Sequence, residues 1–158
     1  PGRTSVDMQP ETVLRLSTHK NIVGIKEASG NKDRSLSLMK LCSQNINIFT
    51  GDDKTSMSDI SDGFSGNISV TANVAPLEMH QMCKSALDGD TENASKLNSK
   101  LDTLHDLLFC ESNPIPVKWC LHKMGLIKKG IRLPLTWMDE KFDRPLTEGL
   151  IKSRIIDE

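Results

Sequence analysis

One lysine in this sequence occupies a position where an amine could do chemistry. Residues 21–27 form a short β-branched run that predicts a strand, and Lys26 lies near its C-terminal end. Side chains alternate between the faces of a strand, so Gly24 shares a face with Lys26 and leaves room beside it. A lysine removed from water has a depressed pKa, and its neutral amine can attack a carbonyl to form a Schiff base. Lys26 is therefore the candidate catalytic residue; the alternative is a strand-end lysine whose amine lies in solvent.

Strands and helices alternate over the first part of the chain, which must position this lysine. The predicted strands cover residues 21–27, 46–50 and 66–70, and the predicted helices cover residues 10–19, 32–43, 53–62 and 76–88. This alternation is typical of parallel strands joined by crossover helices. In a β/α barrel, catalytic side chains lie at the C-terminal ends of the strands, and Lys26 is close to such an end.

After residue 88 the pattern becomes helical throughout. The predicted helices of this part cover residues 91–110, 116–124 and 145–156. We therefore predict a partial α/β barrel over residues 1–88 and a C-terminal helical domain over residues 89–158, with the turn signal Asp88-Gly89-Asp90 between them.

The α/β region is too short for the barrel that its pattern indicates. Three parallel strands leave both edges of a sheet open, and a complete (β/α)8 barrel takes about 250 residues. The sequence also begins with proline, has its first methionine at position 8 and contains no tyrosine. We expect the chain to be part of a larger barrel.

Five short stretches, modest one by one, form a specific pattern together. They are residues 1–4, 24–31, 51–53, 68–74 and 113–119. In this order and spacing they resemble the dihydrodipicolinate synthase family. The resemblance implies a (β/α)8 TIM barrel followed by three C-terminal helices, usually in a homotetramer, of which this chain would be the C-terminal half.

The same resemblance implies a Schiff-base lyase of lysine biosynthesis that condenses pyruvate with aspartate semialdehyde. Lys26 matches the lysine that captures pyruvate, and Arg3 matches the arginine that binds the semialdehyde carboxylate. Ile68 matches a position whose backbone carbonyl lies close to pyruvate. Gly51 and Asp52 match residues near the second substrate, and a plain strand-end turn is the alternative for both. The mechanism needs no cofactor.

The family resemblance also implies what this chain would lack. Family members are longer, and their first five strands precede the part that matches position 1. Their catalytic tyrosines, which move protons next to the Schiff base, lie in that preceding part, in keeping with the absence of tyrosine here. We therefore expect the isolated chain to capture pyruvate slowly at best, without turnover, and to pair with the missing half or with further copies of itself.

The composition argues against two classes of partner. Lys and Arg total 20 and Asp and Glu total 21, so the chain has no basic excess with which to bind nucleic acid. No apolar run approaches the ~20 residues that span a bilayer. No signal peptide is visible, and neither the cysteines nor the histidines have metal-ligand spacing. We expect a cytoplasmic protein without a metal site.

Two other functions stay open on the sequence alone. The chain could be an inactive remnant that serves as an interaction or structural module, although a slice of a barrel needs a partner to cover its open edges. It could also belong to related pyruvate-dependent aldolases such as N-acetylneuraminate lyase, which share the lysine strand. The Pro-Gly-Arg-Thr stretch around Arg3 and the Ser-Val-Thr-Ala-Asn stretch at residues 69–73 favour the synthase.

Overall fold

The computed structural model describes residues 4–157, and the chain forms two compact units that divide between Ile68 and Ser69. Seven α-helices and two β-strands occur in the described residues. The boundary predicted at residue 88 lies where the strand–helix alternation ends. The division after Ile68 instead separates two compact units, so the two boundaries describe different properties. The division into residues 1–88 and 89–158 stays a prediction.

A short parallel sheet organises the first unit. Strand β1 (Gly24–Glu27) pairs with strand β2 (Asn47–Thr50), and Lys26 lies opposite Phe49 in the register. Both strands fall within the ranges predicted from their β-branched and aromatic residues. The parallel direction agrees with the crossover pattern of the sequence.

The third predicted strand, at residues 66–70, is present only as a single parallel bridge between Thr50 and Asn67. The amide of Thr50 donates to the carbonyl of Gly66 at 3.0 Å, and the amide of Ile68 donates to the carbonyl of Thr50 at 2.9 Å. Gly66 has a φ of +148°, which lies outside the strand region and interrupts regular pairing. The segment therefore extends the parallel sheet beside β2 without forming a full strand.

Three helices belong to the same unit: α1 (Pro10–Leu16), α2 (Lys32–Cys42) and α3 (Ser56–Ser61). Helix α1 begins with a proline, whose fixed φ and missing N–H suit a first turn. Helix α2 begins where the Asn31 side chain accepts a hydrogen bond from the amide of Arg34 at 3.1 Å. The buried apolar side chains of the unit include Val13, Leu38, Ile46, Ile48, Ile60 and Phe64.

The second unit is helical and comprises α4 (Pro76–Leu87), α5 (Thr91–Leu107), α6 (Ile115–Lys123) and α7 (Asp143–Lys152). The last three are the predicted C-terminal helices. Helix α7 approaches α5 closely at Gly149, where a Cβ atom would lie 2.5 Å from Leu107 Cδ1. Within residues 4–157, no helix is both long enough and apolar enough to cross a membrane.

Candidate active site

Lys26 lies one residue before the C-terminal end of β1, as predicted. Lys26 is exposed, whereas its neighbour Glu27 is only 6% exposed. Strand alternation explains the contrast, because successive side chains point to opposite faces of the sheet. The expectation of a lysine removed from water is not met within the described part of the chain.

Gly51 provides the space in which the Lys26 side chain lies. A Cβ atom on Gly51 would overlap Lys26 Cε and would lie 2.9 Å from Lys26 Cγ. It would also lie 2.9 Å from the Cβ of Ala28, which the backbone holds in place. The amide of Gly51 donates to the carbonyl of Glu27 at 2.6 Å, so the backbone here cannot easily withdraw. The structure thus brings Gly51 against Lys26, while a contact with substrate stays a prediction.

Ile68 lies on the same side of the sheet as Lys26. Because Thr50 bridges to Asn67 and Lys26 is paired with Phe49, alternation places Phe49 and Ile68 on the face that carries the lysine. Ile68 is 50% exposed. We call Lys26, Phe49, Gly51 and Ile68 the open face. The role of the Ile68 carbonyl beside pyruvate stays a prediction.

The Asp52 carboxylate takes part in the turn that follows β2. Its Oδ1 accepts a hydrogen bond from the amide of Thr55 at 3.1 Å, just before α3 begins. Its Oδ2 lies 3.1 Å from the position that a Cβ would take on Gly30, which has a φ of +65°. These contacts are those of a strand-end turn, the alternative left open by the sequence, and a substrate role for Asp52 stays a prediction. Arg3 lies outside the described residues.

Sequence reasoning missed a hydrogen-bonded cluster on the opposite face of the sheet. The buried carboxylate of Asp59 accepts hydrogen bonds at Oδ2 from the hydroxyls of Thr50, at 2.9 Å, and Thr55, at 2.8 Å. We call Glu27, Thr50 and Asp59 the closed face, since all three are buried. Strand alternation from the exposed lysine could have located Glu27, but nothing in the serine- and aspartate-rich sequence of α3 singles out Asp59.

Glu27 is buried with a charged partner. Its Oε2 accepts a hydrogen bond from Arg34 Nε at 2.6 Å, and its Oε1 accepts one from the amide of Ser29 at 2.7 Å. Burial alone would raise the pKa of Glu27, but the hydrogen bonds from Ser29 and Arg34 outweigh it and hold the pKa below the ordinary value of 4.5. The carboxylate directly behind Lys26 is therefore ionised at neutral pH.

Three of the four thiols, those of Cys42, Cys110 and Cys120, are poor nucleophiles. Burial, with a further contribution from nearby Cys110, raises the pKa of Cys120 to about 12. Burial also raises the pKa of Cys42 and of Cys110. Because the thiolate is the reactive form, these shifts suppress their reactivity. Among the described residues, no three His, Cys, Asp or Glu side chains are grouped so as to hold a metal ion.

Comparison with known proteins identifies the family. Residues 1–152 match the model of the dihydrodipicolinate synthetase family. The chain belongs to this family. The resemblance inferred from the five stretches is thereby confirmed.

Sequence relatives in the dihydrodipicolinate synthetase family include two bacterial 4-hydroxy-tetrahydrodipicolinate synthases. That of Thioalkalivibrio sulfidiphilus is 52% identical over 155 residues, which are 98% of this chain and 53% of the relative. That of Pseudomonas syringae pv. syringae is 51% identical over 156 residues, which are 99% of this chain and 53% of the relative. The chain spans about half the length of the curated relatives it matches.

Solved structures of the dihydrodipicolinate synthetase family superpose closely on this chain. The dihydrodipicolinate synthase of Acinetobacter baumannii, in complex with pyruvate, gives a TM-score of 0.96 at 48% identity, and the match covers 99% of this chain and 54% of that one. The enzyme of Thermotoga maritima gives 0.95 at 38% identity with the same coverage. The fold class is confirmed as the C-terminal part of a (β/α)8 TIM barrel followed by three helices.

Proposed function

We propose that this chain is the Schiff-base half of a lyase that condenses pyruvate with aspartate semialdehyde to 4-hydroxy-tetrahydrodipicolinate, in the biosynthesis of diaminopimelate and lysine. The observation that carries the proposal is Lys26 at the end of a parallel strand, with its side chain running over Gly51 on the open face. Membership in the dihydrodipicolinate synthetase family supports it. The A. baumannii relative, which was solved with pyruvate, supports pyruvate as the first substrate.

The chemistry begins with the Lys26 amine. Its Nζ forms a bond to the ketone carbon of pyruvate, and the ketone oxygen leaves as water, which gives an imine. The imine draws electrons from the pyruvate methyl group, so that this group loses a proton and becomes a nucleophilic enamine. The enamine carbon bonds to the aldehyde carbon of the semialdehyde, the electron pair of the aldehyde C=O bond moves to its oxygen, and that oxygen takes up a proton to become the hydroxyl while the imine to Lys26 is restored. The semialdehyde amine then displaces Lys26, which closes the ring and frees the lysine.

The second substrate needs groups that recognise its carboxylate. Arg3 fits this task, because a guanidinium meets a carboxylate with two parallel hydrogen bonds. The turn that carries Asp52 lies beside Gly30, just beyond the end of β1, where it can border the same site. Ile68 belongs to the open face, and its carbonyl would contact pyruvate.

In the proposed reaction the proton relay comes from the part of the barrel that precedes this chain, where the family resemblance implies the catalytic tyrosines. This sequence has no tyrosine, and Lys26 is exposed. A positioned acid–base group contributes about 10²–10⁴-fold to a rate. A second polypeptide segment that covers the open face would supply both the proton relay and the exclusion of water, and a homo-oligomer assembled from complete barrels is the expected form. The reducing cytoplasm suits its four thiols.

The proposal is tested by completing the barrel. The first half of the T. sulfidiphilus synthase is fused ahead of residue 1 to give a joined protein. Condensation of pyruvate with aspartate semialdehyde is followed by a coupled reductase assay. Lys26→Arg is compared with Lys40→Arg, a matched change at an exposed lysine in the last turn of α2.

The joined protein is expected to be active, Lys40→Arg to keep that activity, and Lys26→Arg to lose it. Arginine stays protonated in proteins and cannot form the imine. Activity that survives in Lys26→Arg would contradict the proposal. Condensation of pyruvate with N-acetylmannosamine in place of the semialdehyde would instead favour an N-acetylneuraminate lyase.

A further inference from the structure

Arg34 joins three separate parts of the first unit through one guanidinium. Its Nε donates to Glu27 Oε2 at 2.6 Å, behind the Lys26 strand. Its Nη1 lies 3.2 Å from a carboxylate oxygen of Asp7, and its Nη2 donates to the carbonyl of Met8. The Arg34 side chain is 15% exposed and that of Glu27 is 7% exposed, so water competes little for their bond, whereas the Asp7 side chain is 47% exposed.

The segment that Arg34 holds has its own local order. Ser5 has a φ of +56°, an uncommon conformation for a residue other than glycine. The hydroxyl of Thr4 donates to the carbonyl of Val6 at 3.2 Å, which closes a small loop. Asp7 and Met8 also bond to Arg34, which lies in α2 and bonds to Glu27 of β1. Arg34 thereby connects the loop to both α2 and β1. In sequence, this segment directly follows Arg3.

We propose that Arg34 is a positioning residue that fixes the segment behind Arg3 relative to the strand that carries Lys26. The inference rests on the proposed function, because it is the matched role of Arg3 in binding the semialdehyde that gives this segment a task. Lys26 and Arg3 act on different substrates and are far apart in sequence. A planar guanidinium with five donors can bond Glu27 and the loop at the same time, whereas a lysine amine reaches such partners less readily.

The test uses the joined protein and two readouts. The first is hydrogen exchange of the peptide over residues 4–9 in Arg34→Lys, which reports the loop without any reference to activity. The second is the KM for each substrate. Asp7→Asn and the double variant complete a mutant cycle. Arg144→Lys is the matched control, since Arg144 also pairs with a carboxylate, Glu148 at 2.7 Å, but on an exposed helix surface.

In Arg34→Lys, exchange over residues 4–9 is expected to be faster and the KM for the semialdehyde about tenfold higher. The KM for pyruvate is expected to stay constant. Asp7→Asn should act in the same direction, and the double variant should be no worse than Arg34→Lys alone. Arg144→Lys should change neither readout.

Unchanged exchange over residues 4–9 would overturn the proposal, whether or not the joined protein is active. Faster exchange with an unchanged KM for the semialdehyde would overturn the functional part. A parallel rise in both KM values would show general destabilisation and would also overturn it. If the unsubstituted joined protein has no synthase activity, the proposed function fails, while the exchange result still decides whether Arg34 holds the loop.

Discussion

Lys26 and Glu27 are neighbours in β1, and their surroundings differ sharply. The closed face buries Glu27, Thr50 and Asp59 among hydrogen-bond donors. The open face leaves Lys26 and Ile68 exposed and uses a glycine, Gly51, where a side chain would otherwise stand. The closed face of this short sheet is held by polar contacts, whereas the open face leaves room for the Lys26 side chain.

The difference indicates that the two faces of the sheet have different roles: the closed face stabilises the strands, and the open face carries the reactive lysine. Satisfied buried polar groups favour one arrangement, because any alternative leaves a donor or a carboxylate without a partner. The closed face therefore fixes the backbone of β1 and β2, and the backbone fixes where the lysine side chain begins. Substitutions at open-face positions that contact Lys26 should alter chemistry more than stability, and substitutions on the closed face should do the reverse.

Of the substitutions that test the difference between the open face and the closed face, Gly51→Ala should have the largest effect. The new methyl group would occupy the place of Lys26 Cε and press on Ala28 Cβ, so the amine must move. A displacement of about 1 Å can cost a reaction about 100-fold. We expect pyruvate capture by the joined protein, followed by borohydride trapping, to slow by about that factor.

Gly24→Ala is the matched control for Gly51→Ala. A Cβ on Gly24 would meet β2 rather than the lysine, at 3.0 Å from the Asn47 carbonyl oxygen and 3.2 Å from Phe49 Cε2. It should lower the urea midpoint and leave trapping nearly unchanged. If Gly24→Ala slows trapping as much as Gly51→Ala, the contact between Gly51 and the lysine has no special role.

Asp59→Ala should damage the closed face next most strongly. It removes the acceptor of the Thr50 and Thr55 hydroxyls, and Thr50 is almost fully buried. Leaving a buried hydroxyl without its acceptor costs about 1–3 kcal/mol in the free energy of unfolding. Urea denaturation of the joined protein measures this loss, and pyruvate trapping under native conditions should be retained. Asp33→Ala, at an exposed carboxylate, should change the free energy by less than about 0.5 kcal/mol.

Glu27→Gln should have the smallest effect and should depend on pH. The folded pKa of Glu27 is depressed below 4.5, so its ionised form stabilises the fold fully above that pH, and this stabilisation is lost as the pH falls through the folded pKa. We expect the variant to be about 1–2 kcal/mol less stable at pH 7. The gap should narrow below pH 4.5. A gap that widens on acidification would show that the charge on Glu27 does not support the closed face.

The sequence was sufficient to predict the parallel strands, the order of the helices and the position of Lys26 at a strand end. Those features follow from local residue patterns and from five recognisable stretches. It could not predict that residues 66–70 contribute a single bridge, because the φ of Gly66 is set by the chain around it. Nor could it predict the bond between Thr50 and Asp59, since that contact depends on how α3 packs beside β2.

The exposure of Lys26 is the other feature that local sequence patterns could not predict. A strand of mostly apolar residues predicts burial of its lysine, but burial depends on what lies across the face, and the described residues leave Lys26 exposed. For the same reason, local sequence patterns could not predict the contacts of Arg34. Its partners are Glu27 at the end of β1 and the adjacent loop residues Asp7 and Met8, which are distant from Arg34 in sequence.

The most direct test of the central claim is to locate the bond that pyruvate makes. The joined protein is incubated with pyruvate, reduced with borohydride, digested and analysed by mass spectrometry. The account predicts one pyruvate-dependent adduct, a reduced pyruvyl group on the peptide that contains Lys26. An adduct on a different lysine, or turnover without any adduct, would contradict the assignment of the chemistry to the open face.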